Sequence, residues 1–399
     1  MSTAFWTAQA RALAAGFPGR AEQIRALQVA ALAGEHAFLL GPPGTGKTSL
    51  VRAFVGTLEG RLFEQTLSRT RPDAAVLGPL HIPRLRDHGR YERAIEGYLL
   101  DCEWAFLDEI GHIAPDLGHD LLAALGDRVR HEVSDGRSAH GIPLLSAFTA
   151  GNVVPGDDGH DDARALWDRL LVRVPVDYLS RDDAALLLSR TDAAPPTCAR
   201  RSLAQLAADR AAVAAVEVGA DVVRAVLDLR DRLREAGEVF SDRRWRASLA
   251  VVRAGAWLDG RAFAEARDLA ELRFVLWDAL DQRVRVLREI AVVSDPRLAE
   301  TWTLVERARL LAEVCRTRRA DDAGARRMWA REAERKLQVL RETAARLSPP
   351  RVSGLGVADT DVAAALAEAA RAVSAVRPAS GAPVASARLA PRPAGRDRP

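Results

Sequence analysis

Residues 36–48 read HAFLLGPPGTGKT, and this stretch limits the possible folds more than any other. Four apolar residues, Ala37, Phe38, Leu39 and Leu40, break abruptly into Gly41, Pro42, Pro43, Gly44, Thr45, Gly46, Lys47 and Thr48. Ser49 then opens a helix-like run through Val55. A strand, a G-x-x-x-x-G-K-[ST] loop and a helix in that order make a phosphate-binding loop. Glycines let successive backbone N–H groups turn inward toward phosphate oxygens, and the helix that follows adds its positive end. In such a loop Lys47 reaches the β- and γ-phosphates and the Thr48 hydroxyl holds Mg²⁺. Composition strengthens the point. Of 57 basic residues only Lys47 and Lys336 are lysines, and Lys47 stands where a compact ammonium is needed rather than a planar guanidinium.

A second motif lies 61 residues after Lys47, far enough for two further α/β crossovers. Trp104, Ala105, Phe106 and Leu107 form an apolar run that ends in Asp108 and Glu109. At the end of such a strand one carboxylate orders Mg²⁺ and its neighbour polarises the attacking water; the plain alternative is a solvated acidic turn. A third buried run, residues 144–150, ends at Gly151-Asn152, placing an amide at the carboxyl end of a strand, where open α/β sheets bind ligands. Residues 61–65 and 171–176 complete a set of five strands, and a short helix over 165–169 leads into the last.

Around these runs the pattern predicts helix over 5–33 with a break at 16–19, and a helix from Pro115-Asp116 to about 125. Residues 128–142 read as a hairpin turning at Asp135-Gly136. The acidic segment 156–162 lacks the spaced oxygens of a calcium loop and reads as a plain loop. His112, Asp116, His119 and Asp120 fall at helical spacings but read as solvated side chains. Residues 78–100 read as a hairpin-like insertion of short extended pieces turning at 87–90. Its Arg84, Arg86, Arg90 and Arg93 suit either a loop that grips a substrate or a charge-balanced surface.

From Arg181 the pattern is helical, with helices expected near 182–190, 201–215, 220–236, 242–258 and 262–280. Two more follow, one from Ser294-Asp295-Pro296 and one over about 322–347, and an Ala-rich helix spans about 360–375. Residues 377–399, rich in Pro, Gly, Ala and Arg, read as disordered. The expected domains are 1–180 (nucleotide binding), 181–282 (helical lid) and 283–376 (helical extension, a candidate partner-docking segment). A net charge of +3 gives little ground for a nucleic-acid partner. Three scattered cysteines suit a reducing compartment. With neither a signal-peptide pattern nor an apolar run of membrane-spanning length, the expected location is the cytoplasm, without membrane insertion.

An α/β nucleotide domain followed by helices, with these motifs in this order, resembles the AAA+ ATPases. More narrowly, the chain looks like a MoxR-family member of the RavA type. The stretches that carry the likeness are GPPGTGKT, LGPLHIPRLRDHGRYERAIEGYLL, WAFLDEIGH, ALWDRLLVRV and SDRRWRASLAVVRAGAWLDGR, from about residue 15 to 265. The resemblance implies a five-stranded, mainly parallel sheet with helices on both faces, an all-α lid and a helical extension. It implies that Lys47 and Thr48 act as the Walker A pair and Asp108 and Glu109 as Walker B. Asn152 falls at sensor 1 and Arg169 at the arginine finger. Arg243 is taken as sensor 2, with Arg244 adjacent. ATP and Mg²⁺ are the implied cofactors. A homo-oligomeric ring, of six subunits on the family pattern, and a von Willebrand factor A domain protein are the implied partners, with chaperone-like remodelling as the outcome. The β-rich module of RavA itself has no counterpart beyond about residue 282. A DNA-acting AAA+ motor and a nucleotide-gated scaffold with little hydrolysis are the competing readings.

Overall fold

The computed structural model describes residues 3–376 apart from 69, 71, 90, 91, 114, 132–138, 155–160, 190–198, 318–322 and 348–358. The hairpin tip at Asp135-Gly136, Arg90, most of the acidic loop and the tail 377–399 lie outside the described residues. The described elements divide into two compact units, the first running through α12 and the second built from α13 to α15.

The first unit opens with α1 (Ala4–Gly16) and α2 (Ala21–Ala33), separated at the expected break. Gly34 closes α2 in the left-handed conformation, φ 73°, which a side chain would resist. Then come β1 (Ala37–Leu40), α3 (Lys47–Val55), β2 (Leu62–Thr66), α4 (Ala74–Leu77), α5 (Ile82–His88), β3 (Trp104–Asp108) and α6 (Pro115–Gly126). A short antiparallel pair follows, β4 (Val129–His131) with β5 (Ala139–Gly141), then β6 (Ser146–Gly151), α7 (Asp161–Arg169) and β7 (Val172–Pro175). Five strands form one fully parallel sheet in the order β2-β3-β6-β1-β7. The motif-bearing strands β1, β3 and β6 are neighbours, so their carboxyl ends lie along one edge.

Both faces are covered. Phe38 and Leu40 of β1 and Ala105 and Leu107 of β3 join Leu121 and Leu125 of α6 and Leu166 and Trp167 of α7 in one buried cluster. Alternate residues point the other way. Phe148 of β6 stacks on Trp104 at 6.1 Å and meets Phe54 of α3 edge-on at 5.5 Å. Each such burial contributes roughly 1.5–3 kcal/mol.

The insertion differs from the hairpin expected. Its base is paired, with Leu80 bridging Arg93 and His81 N–H donating to the Glu92 carbonyl at 2.8 Å. Between these arms stands α5 rather than extended chain. His81 Nδ1 accepts from the Arg84 N–H, Pro83 sits in the first turn, and Gly89 (φ 64°) ends the helix. Arg84 pairs with Glu92 and Arg86 with Asp87 within the insertion, and Arg93 pairs with Asp73 just before it, so charge balance uses these arginines.

After β7 come α8 (Arg181–Leu188), α9 (Leu203–Ala214), α10 (Ala220–Glu235) and α11 (Asp242–Leu258). Ser241 caps α11, accepting from the Arg244 N–H at 3.2 Å. The helix expected over 262–280 is instead a 3₁₀ segment (Ala266–Phe274), followed by α12 (Leu280–Ser294). From Asp268 to Trp277 every residue is buried, so no polar face marks a 3.6-residue period. The Gln282 side chain accepts from the N–H groups of Asp278 and Ala279, starting α12 where the sequence suggested an end. Ion pairs from Arg25 to Glu271 and Asp259, and from Arg283 to Glu22, fix these helices to α2.

The second unit holds α13 (Pro296–Thr317), α14 (Ala323–Arg346) and α15 (Asp359–Val376). Arg316 pairs with Glu368 at 2.7 Å. An open groove of about 460 Å³ runs between Leu310, Leu311 and Val314 on α13 and Val339 and Leu340 on α14.

Candidate functional site

The phosphate loop is built as its sequence requires. A Cβ on Gly41 would stand 1.9 Å from the Val176 carbonyl oxygen, so only glycine lets β1 pass beside the end of β7. Gly44 (φ 78°) and Gly46 (φ 83°) take left-handed conformations, and a Cβ on either would meet nothing within 4 Å. The loop is thus an open cradle of backbone, shaped by conformation rather than by crowding. Gly46 caps α3, whose N-terminus points into that cradle. Pro42 and Pro43 shape the loop's first turn, and the Thr45 hydroxyl donates to the Pro42 carbonyl at 3.0 Å. Lys47 donates to the carbonyls of Gly41 and Pro42 at 2.8 and 2.9 Å. Burial pulls its ammonium below the usual lysine value, with Asp108 and Glu109 opposing that shift.

At the end of β3, Asp108 accepts from the Thr48 hydroxyl at 3.1 Å. Glu109 follows with φ 57° and ψ 38°, a left-handed conformation that costs a residue with a side chain roughly 1–2 kcal/mol. Its N–H donates to the Asp108 carboxylate at 3.0 Å. Asn152 is exposed one residue beyond Gly151, whose carbonyl accepts from the Gly41 N–H at 3.0 Å. A Cβ on Gly111 would lie 3.0 Å from the Val153 carbonyl, so the Asp108-Glu109 turn and the Asn152 turn are in contact. The structure therefore brings Lys47, Thr48, Ser49, Asp108, Glu109 and Asn152 to one edge. A hydroxyl and a carboxylate oxygen 3.1 Å apart suit Mg²⁺, which takes few protein ligands and completes its shell with water and phosphate oxygens. Among the described residues no cluster of three or more His, Cys, Asp or Glu offers an all-protein cage.

Arg169 and Arg243 are elsewhere. Arg169 ends α7, just before β7 begins, with its guanidinium donating to the Ala165 carbonyl at 3.0 Å and passing 3.1 Å from where a Gly126 Cβ would be. Arg243 is exposed in the first turn of α11. The two lie close enough that Arg243 adds to burial in lowering the Arg169 pKa. Arg243 also acts electrostatically on Glu35 and His36, the residues that precede β1. Both arginines thus sit at the amino-terminal edge of the sheet, about 13 Å of strand away from the phosphate loop. Arg243 therefore lies toward the start of β1 rather than its end. Arg244 is the buried member of the adjacent pair, 4% exposed and ion-paired with Asp168 and Asp278.

Sequence reasoning missed Arg20. It immediately precedes α2, is 7% exposed, and donates to the Thr45 carbonyl at 3.1 Å and the Asp177 carbonyl at 2.8 Å. Burial lowers its pKa, partly offset by Asp183 and Asp177. It ties the phosphate loop to the segment after β7.

The family model described as the MoxR domain in the MoxR-vWA-beta-propeller ternary systems matches residues 6–208, just over half of the chain. A model of an AAA lid domain matches residues 221–290. Two uncharacterized proteins of Methanocaldococcus jannaschii are 30% and 29% identical, each over 70% of this chain and over 72% and 73% of their own lengths. The MoxR protein of Paracoccus denitrificans is 30% identical over 40% of this chain and 46% of its own. In fold, the chain is similar to the crystal structure of a candidate ATPase from Cytophaga hutchinsonii, with TM-score 0.57 and 15% identity over 73% of this chain and 94% of that one. The chain belongs to the MoxR family of AAA+ ATPases.

Proposed function

We propose that the chain is a Mg²⁺-dependent ATPase that works as a ring, hexameric on the family pattern, and remodels or activates a partner protein carrying a vWA domain. The observation that carries this reading is the split of the site between two edges of the sheet. Lys47 and the loop N–H groups would hold the β- and γ-phosphates. Thr48 and Asp108 would hold Mg²⁺, whose charge neutralises the phosphate oxygens as the bond to the γ-phosphate loosens. Glu109 would take the proton of the attacking water and Asn152 would orient that water. Arg169 and Arg243, toward the opposite edge, would serve a neighbouring subunit instead. Side by side at the opposite edge, two guanidiniums repel each other until an anion arrives, and a neighbour's triphosphate is such an anion.

The partner assignment rests on the matched family's description, with its vWA component. No helix among the described residues is long and apolar enough to cross a membrane, and the cytoplasm is the proposed location.

The test is ATP turnover per subunit across a protein concentration series, beside Lys47→Ala and Arg169→Ala. Turnover should climb with concentration as subunits meet. Both substitutions should abolish it, and Arg169→Ala should still bind nucleotide. An arginine finger is worth about 10³–10⁵ in rate. A turnover independent of concentration, or a fully active Arg169→Ala protein, rules the reading out.

A further inference from the structure

Arg169 and Arg243 stand on different elements, α7 and α11, and the carboxylate of Asp278 contacts both elements. Asp278, between the 3₁₀ segment and α12, accepts two hydrogen bonds at Oδ1, from Trp167 Nε1 at 2.9 Å and Arg173 Nη1 at 2.7 Å, and the same oxygen is ion-paired with Arg244 Nη2 at 2.9 Å. Trp167 is two residues before Arg169, and Arg244 is the residue after Arg243. The link is doubled at Asp168, whose carboxylate accepts from Arg244 and from the Ser241 hydroxyl, each at 3.2 Å.

Arg173 is fully buried on β7, its Cζ 3.8 Å above the Trp167 ring, and it also donates to the carbonyls of Trp167, Leu170 and Trp277. Burial and the nearby Arg244 bring its pKa down to about 9. Burial pushes the Asp278 carboxyl up, but Arg244 and Arg173 together hold it below its ordinary value. Two buried guanidiniums therefore tolerate one another through this carboxylate, which with Asp168 holds α11 against α7.

We propose that Asp278 is a positioning residue for hydrolysis in the adjacent subunit, locking α7 to the lid so that Arg169 and Arg243 reach a neighbour's nucleotide as one rigid unit. This rests on the reading that Arg169 serves a neighbour. It follows that the lid of one subunit is coupled to its neighbour's nucleotide.

The experiment is complementation between full-length variants co-expressed at equal ratio. Asp278→Asn keeps the side chain's size but removes the charge that balances Arg173 and Arg244. Asp278→Glu keeps the charge, and with it the fold, but shifts α11 by about one methylene. Each alone should lose at least tenfold in kcat with KM for ATP within twofold. Mixed with Glu109→Gln, which retains its arginines but cannot hydrolyse, each should regain several-fold the activity of either component. Arg169→Ala mixed with Glu109→Gln is the control. Should the control recover and both Asp278 variants not, Asp278 acts only within its own subunit and the inference is overturned. A control that itself fails to recover removes the shared-site reading beneath it. Wild-type kcat in both Asp278 variants also overturns the inference.

Discussion

Gly41→Ala is the substitution whose cost the structure fixes most directly. The new methyl carbon would lie 1.9 Å from the Val176 carbonyl oxygen, and ordinary contact begins at 3.4 Å. The ends of β1 and β7 must therefore part by roughly 1.5 Å, the difference between those two distances. The Val176 N–H donates to the Leu40 carbonyl at 2.7 Å, and that separation takes the pair out of hydrogen-bonding range. Stranding two buried backbone groups costs about 1–3 kcal/mol, and bending the adjacent backbone adds on the order of 1 kcal/mol. At about 2–4 °C per kcal/mol for a domain of 150–250 residues, melting should fall by about 4–16 °C. Gly44→Ala is the internal comparison. It has open space, so its cost is conformational alone, about 1–2 kcal/mol at φ 78°. Calorimetric melting of both variants without nucleotide separates crowding from conformation. A Gly41→Ala protein melting within about 2 °C of wild type, or above Gly44→Ala, refutes the reasoning.

Two further outcomes are expected. Glu109→Gly should be more stable than Glu109→Ala by about 1 kcal/mol in urea unfolding, because glycine alone is at ease at φ 57°, while both lose turnover; the opposite order would show that Glu109 is not left-handed in solution. Glu35 is raised by burial to about 7, against the pull of Arg128, Arg243 and Arg210. Its folded pKa exceeds the unfolded 4.5, so wild type loses stability as pH rises through that window. The stability advantage of Glu35→Gln in urea titrations should therefore grow between pH 4.5 and 7, to about 2–3 kcal/mol; an advantage that shrinks with pH would contradict this.

What could be read from the sequence was contiguous. The phosphate loop, the Asp108-Glu109 strand end and Asn152 each sit at the end of an apolar run, so local pattern located them and a parallel sheet aligned them. The missing pieces were long-range or buried on every side. Arg20 looks like any of the chain's arginines until α2 delivers it to the Thr45 carbonyl. Asp278 gains its meaning from residues over 100 positions away, Trp167 and Arg173. The ambiguity between Arg243 and Arg244 did leave a trace in the sequence. Arg244, Ser248, Val251, Val252 and Gly255 form one buried helical stripe, which turns Arg244 inward and leaves Arg243 outside.

The parallel sheet also gives the subunit a direction. Lys47 and Asp108 lie at the ends of their strands, while Arg169 precedes the start of β7. A contact that brings one subunit's arginines to the next subunit's loop leaves an unused loop at one end and unused arginines at the other. Such head-to-tail contacts extend until the chain of subunits closes on itself. An open chain always holds one complete site fewer than its number of subunits, and only closure completes the last. The maximal rate per subunit should therefore report whether the assembly has an end.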